Sequence, residues 1–172
     1  MPVELHHERQ VKQMCLVHAL NSLLQRKEFT SKDLDRICYS LNENRWFNPH
    51  KSILGLGNYD VNVLMVALDK CDLHMVWFDS RRPISDINLD AVDAMIFNVP
   101  SGRIPCWPGR HWFTVLKVED GSFMNMDSFL PVPKEVDNIC TFTEQLFQNE
   151  QKVQLILISR GDPQLCYQGN ID

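Results

Sequence analysis

A thiol and an imidazole far apart along the chain are the first residues whose types suggest chemistry. Cys15 opens the run Cys15-Leu16-Val17-His18-Ala19-Leu20-Asn21-Ser22-Leu23-Leu24-Gln25, in which Leu16, Ala19, Leu20, Leu23 and Leu24 form the stripe of a buried amphipathic helix. A cysteine attacks as thiolate, and the unpaired N–H groups of a first helical turn favour that negative charge. Such a position also suits a cysteine that is only a small buried hydrophobe. His111 stands in Gly109-Arg110-His111-Trp112-Phe113-Thr114-Val115, at the start of a predicted strand, whereas His6, His7, His18, His50 and His74 have no such setting. A Cys and a His joined in space make a thiolate–imidazolium pair, with the thiol as nucleophile and the imidazole as general base and acid.

An imidazole in that role needs an orienting group, and the turn after the His111 strand indicates where it lies. Glu119-Asp120-Gly121 suits a three-residue hairpin loop, a type I turn closed by a left-handed glycine. The loop pairs Val118 with Ser122, and counting back pairs Phe113 with Asp127. Side chains alternate along a strand, so His111, Phe113, Asn125 and Asp127 share a face, with Asp127 diagonal to His111 at roughly 7 Å between backbones. Asp127 is the expected orienter, and Asn125, one pair further on, is the alternative. Gln10 lies five residues before Cys15. Its amide could donate to the oxyanion of a tetrahedral intermediate beside the backbone N–H of Cys15, although a Gln in isolation reads first as a surface residue.

The elements that must hold these groups follow from periodicity and punctuation. A second helix is predicted to start at Thr30 or Ser31 and to bury Leu34, Ile37, Cys38 and Leu41; a third, capped by Asp60, spans 61–71 with Val61, Leu64, Met65 and Leu68 on its stripe. Strands are predicted at 75–78, 94–99, 112–118, 122–126 and 153–159, and a last helix at 141–150. Helices first and strands afterwards indicate an α+β fold. Residues 42–58, with Asn48-Pro49 and Gly55-Leu56-Gly57-Asn58, read as an exposed arm. A chain of 172 residues, 44% hydrophobic, is expected to form one domain around one core.

Composition narrows the function classes. A net charge of -5, with no basic run longer than a doublet such as Arg81-Arg82, argues against nucleic acid as a partner. The six cysteines are scattered without a C-x-x-C pair, so neither a metal nor a cofactor is expected, and most should be buried and reduced. No apolar run approaches the length of a membrane span and the first residues lack a signal-peptide pattern, which predicts a soluble cytoplasmic monomer.

Together, His7-Glu8-Arg9-Gln10, the run from Cys15 to Gln25, Asn58-Tyr59-Asp60-Val61-Asn62-Val63 and Arg110-His111-Trp112 resemble the Josephin family of deubiquitinating cysteine proteases. The likeness covers nearly the whole chain and is greatest to small members made of little besides that domain. It implies a papain-like fold in which N-terminal helices, one bearing Cys15, pack on a central antiparallel sheet bearing His111 and Asp127. It also implies the roles: Cys15 nucleophile, His111 base and acid, Asp127 orienter, Gln10 oxyanion donor. The hairpin between His111 and Asp127 is one residue longer than the family pattern, at Glu119. The implied partners are ubiquitin and ubiquitinated proteins, and the implied substrate is the bond after ubiquitin's C-terminal glycine. A groove too narrow for any Cβ would select that glycine, with Trp112 and Trp77 as candidate walls, although Trp77 fits the core better. The arm at 42–58 corresponds to a helical arm in the family, where Trp46 and Phe47 either contact ubiquitin or tuck the arm against the body. Two other functions share these residues: a ubiquitin-binding module without turnover, and a thiol-dependent acyltransferase.

Overall fold

The computed structural model describes residues 4–12, 14–41, 59–101 and 109–168. The expected arm at 42–58, with Trp46 and Phe47, lies outside the described residues, as does Cys106. Three helices come first, α1 (Cys15–Leu24), α2 (Ser31–Leu41) and α3 (Val61–Asp69). The strands are β1 (His74–Trp77), β2 (Ala94–Ser101), β3 (Gly109–Lys117), β4 (Phe123–Asn125), β5 (Lys134–Val136) and β6 (Gln154–Ser159), with α4 (Ile139–Asn149) before the last. They form one six-stranded sheet in the order β1-β6-β2-β3-β4-β5, every neighbouring pair antiparallel. The α+β arrangement is the one expected from helices preceding strands.

Alternation along the central strands sorts their side chains to two sides. Ala94, Ile96, Trp112, Leu116, Ile156 and Ile158 pack with α1, α2 and α3. Met95, Phe97, Phe113, Val115, Leu155 and Leu157 pack with Ile139 at the start of α4. Burial on both faces is why β2 and β6 read as continuous apolar runs rather than alternating ones. Thr114, on the α1 side, donates its hydroxyl to Ala19 O at 2.8 Å and so bonds α1 to the middle of β3.

Caps set the helix starts. Thr30 and Asp33 exchange bonds across the first turn of α2, with Thr30 N on Asp33 Oδ2 at 2.8 Å. The Asp60 carboxylate accepts from Asn62 N and Val63 N at the start of α3. Asn138 accepts from Thr141 N, which starts α4 two residues before the predicted Thr141. Several expected burials are corrected. Leu41, Met65 and Trp77 are exposed, and α3 buries Val63 and Ala67 beside Leu64 and Leu68. β5, three residues at the sheet's edge, has no counterpart in the predicted strands. Of the five described cysteines, Cys15, Cys38 and Cys166 are buried and Cys71 and Cys140 partly exposed. Among the described residues no helix is long and apolar enough to cross a membrane.

Candidate active site

The hairpin between β3 and β4 follows the predicted register. Lys117 faces Phe123 and Val115 faces Asn125, Val118 N donates to Ser122 O at 2.9 Å, and Gly121 takes φ 86°. Met126 N bonds Thr114 O at 2.9 Å, one step past the named strand. The chain then leaves the sheet: Asp127 Oδ1 accepts from Phe129 N at 2.9 Å and Asp127 O from Leu130 N at 2.9 Å, closing a turn. The same Oδ1 lies 2.7 Å from His111 Nε2. An ionised carboxylate only accepts, so Nε2 carries the proton and Nδ1 is left for a second partner. Phe129 covers the ring, its centroid 3.8 Å from that of His111 and the planes 8° apart. Asn125, the alternative orienter, bonds the Asp127 backbone instead, accepting from Asp127 N at 3.0 Å.

Cys15 reaches the same edge from the other side. The backbone groups of Thr114 and Val118 point towards β4, and by alternation so does the N–H of Trp112, where β4 has already turned away. The Cys15 sulfur takes that position. The backbone N–H groups of Trp112, Leu16 and Cys15 all act on it, and so does the charge of Asp127. Burial nevertheless dominates and pushes the thiol up from 9.0 to about 11, with Asp127 raising it further against those N–H groups. Removal from water thus outweighs the helix start, which by itself favours negative charge on the sulfur. His111 and Asp127 also line a cavity of about 360 Å³ on the α4 side, walled by Phe113, Phe142 and Leu146, to which α1 contributes nothing. Base and thiol thus approach one rim of the sheet from opposite layers.

Gln10 is fixed to the orienter's turn. Its N–H donates to Ser128 O at 2.8 Å, its Oε1 accepts from Ser128 Oγ at 2.8 Å, and one amide hydrogen goes to Lys12 O at 2.8 Å. A second amide hydrogen remains to be donated. Trp112 is corrected as a groove wall: it is 2% exposed, in the core, with its indole N–H on Tyr59 O at 3.0 Å. Tyr59 in turn donates its hydroxyl to Asp35 Oδ1 at 2.7 Å, with Ser31 O 3.1 Å from the same oxygen, tying β3 through α3's entry to α2.

The segment carrying Gln10 runs along α1, held by residues that periodicity passes over. Gln25 Oε1 accepts from His6 N at 3.0 Å. Glu8 receives His18 Nδ1 at 2.7 Å, His6 Nε2 at 3.0 Å and the Asn21 amide. Burial alone would raise the Glu8 carboxyl, but these bonds from His18, His6 and Asn21 hold it below its ordinary value. Asn21, fully buried, also accepts from Glu28 N and Phe29 N and donates to Phe29 O. These bonds account for the Glu8, His18, Asn21 and Gln25 of the motifs.

Comparison with known proteins shows the family. The Josephin family model matches residues 10–160. The chain belongs to the Josephin family. It is 39% identical to mouse Josephin-2, with 96% of this chain and 93% of that protein covered. It is 41% identical to a Drosophila melanogaster Josephin-like protein over 90% of this chain and 71% of the relative. Identity to human Ataxin-3 is 26%, over 94% of this chain and 47% of that protein. With the family comes the papain-like α+β architecture: helices on a central antiparallel sheet.

Proposed function

We propose that this Josephin chain is a deubiquitinating thiol hydrolase that cleaves the isopeptide or peptide bond after ubiquitin's C-terminal glycine. The observation that carries the reading is the His111–Asp127 bond at 2.7 Å, beside a Cys15 sulfur that meets the N–H of the residue following His111. In this reading Cys15 is the nucleophile and rests as a neutral thiol. As the substrate carbonyl arrives, the proton passes to His111 Nδ1 while Asp127 keeps the ring in place through Nε2. Sulfur adds to the carbonyl carbon, and the oxyanion takes hydrogen bonds from the Cys15 N–H and the remaining amide hydrogen of Gln10. Collapse expels the substrate amine, which receives the proton from His111, and leaves a thioester. Water, deprotonated by His111, then attacks the thioester and restores the thiol. Ubiquitin and ubiquitinated proteins are the partners, the whole chain acts as one catalytic domain, and the site of action is the cytoplasm.

The burial that raises the Cys15 thiol favours a second reading, a ubiquitin-binding module of the same fold with little or no turnover. Reaction with ubiquitin bearing a C-terminal electrophile separates the two. Covalent capture at Cys15, lost in Cys15→Ala and in His111→Ala, supports the hydrolase. Binding without capture supports the module.

A further inference from the structure

His18 is buried in α1, one turn beyond Cys15, and takes no part in the mechanism above. Its two ring nitrogens have different work. Nε2 accepts the Val11 N–H at 3.3 Å, so that nitrogen holds a lone pair. Nδ1 lies 2.7 Å from Glu8 Oε2, a carboxylate oxygen that only accepts, so the proton is on Nδ1 and the ring is neutral. Glu8 thereby selects the tautomer, as carboxylates do for metal-bound imidazoles. The Val11 N–H belongs to the peptide that joins Gln10 to Val11. Gln10 N–H meanwhile bonds Ser128 O, next to Asp127. The backbone that presents the Gln10 amide is therefore fixed at one end to the nucleophile's helix and at the other to the orienter's turn. Immediately after it Lys12 holds a left-handed φ of 55°, a conformation that tolerates little displacement of its neighbours.

We propose that His18, held in its Nδ1–H tautomer by Glu8, is a positioning residue that aims the Gln10 amide at the oxyanion through the peptide between Gln10 and Val11. The inference rests on the hydrolase reading, and its action passes entirely through Gln10. His18→Leu removes the acceptor of the Val11 N–H. It should lower kcat for a ubiquitin amide substrate on the order of 10 to 100-fold and leave KM nearly unchanged, because misaimed groups cost rate rather than binding. Combined with Gln10→Ala, it should add almost nothing to the loss from Gln10→Ala alone. Glu8→Gln preserves an oxygen for Nδ1–H and should keep most of the activity; Glu8→Ala should fall as His18→Leu does. Ring nitrogen NMR shifts of His18 in the wild-type chain should show Nδ1 protonated and Nε2 bare.

Multiplicative losses from Gln10→Ala and His18→Leu, a loss borne by KM, or a protonated Nε2 would overturn the proposal. Should His18→Leu not fold, the Glu8 pair decides: equal activities of Glu8→Gln and Glu8→Ala would overturn it as well. Failure of the hydrolase reading looks different, because the wild-type chain itself would then escape capture by the ubiquitin electrophile.

Discussion

Burial and backbone hydrogen bonding pull the Cys15 thiol in opposite directions, and the outcome is measurable in the resting protein. Folding favours the protonated thiol, whose value rises from 9.0 to about 11. Its stabilisation is therefore complete below about pH 9 and is lost as pH climbs towards 11. Denaturant titrations should show wild type losing up to about 3 kcal/mol more than Cys15→Ala across that interval. A thiol already titrated by pH 8 would give parallel curves and refute the burial argument. Asp127 is open to a sharper test because one oxygen holds both His111 Nε2 and Phe129 N. Asp127→Ala should lower kcat on the order of 100-fold or more, since ring orientation and turn go together. Asp127→Asn preserves an acceptor for both bonds and should retain most of the turnover. Asn125→Ala should cost little, because Asn125 touches only the Asp127 backbone among these groups. If Asn125→Ala proved the more damaging, the orienter would be misassigned.

The elements that present these groups were legible to different degrees. Where one segment carries its own signal, as in the α1 stripe, the Asp60 cap and the Glu119-Asp120-Gly121 loop, the sequence reading and the structure agree. Which of several apolar residues a helix buries depends on a partner the local pattern does not contain, and Met65 and Leu41 were misplaced for that reason. Trp112 and Trp77 exchanged their expected settings because alternation assigns faces but not which face is open. The bonds of Gln10 to Ser128 and of Glu8 to His18 join polar atoms without any period, so neither was foreseen. The hairpin can be tested as an element. Gly121→Ala places a Cβ in open space but at φ 86°, and should cost about 1 kcal/mol from conformation alone. Deleting Glu119 leaves Asp120-Gly121 as a two-residue turn with Val118 still opposite Ser122, and activity should persist. A folded but inactive deletion would show that the loop does more than keep register. The segment along α1 has its own pH signature. Glu8 is held below its ordinary 4.5, so the stability it gives is present above that pH and is lost as pH falls through its folded value. Acid unfolding of Glu8→Gln should show a shallower decline than wild type over that range.

At the scale of the molecule, the sheet separates the layer that carries the thiol from the layer that carries the base. Phe97 stacks on Phe113 at 5.2 Å and meets Phe142 edge-on at 5.9 Å, binding β2, β3 and α4 on the His111 side. Phe97→Ala should remove about 3–5 kcal/mol of stability. Turnover and tryptophan fluorescence should then vanish at one shared denaturant midpoint, because neither layer holds the site alone; turnover that outlasts the fluorescence transition would contradict this. The strand order carries this further. β6 lies between β1 and β2, yet it is the last of the strands in the chain. During synthesis Cys15 leaves the ribosome ahead of the described strands, but β1 has no strand to pair with, and β2, paired with β3 on one side, lacks its second neighbour until β6 emerges. The thiol therefore emerges before its sheet can close, and the sheet is complete only when β6 is inserted between β1 and β2.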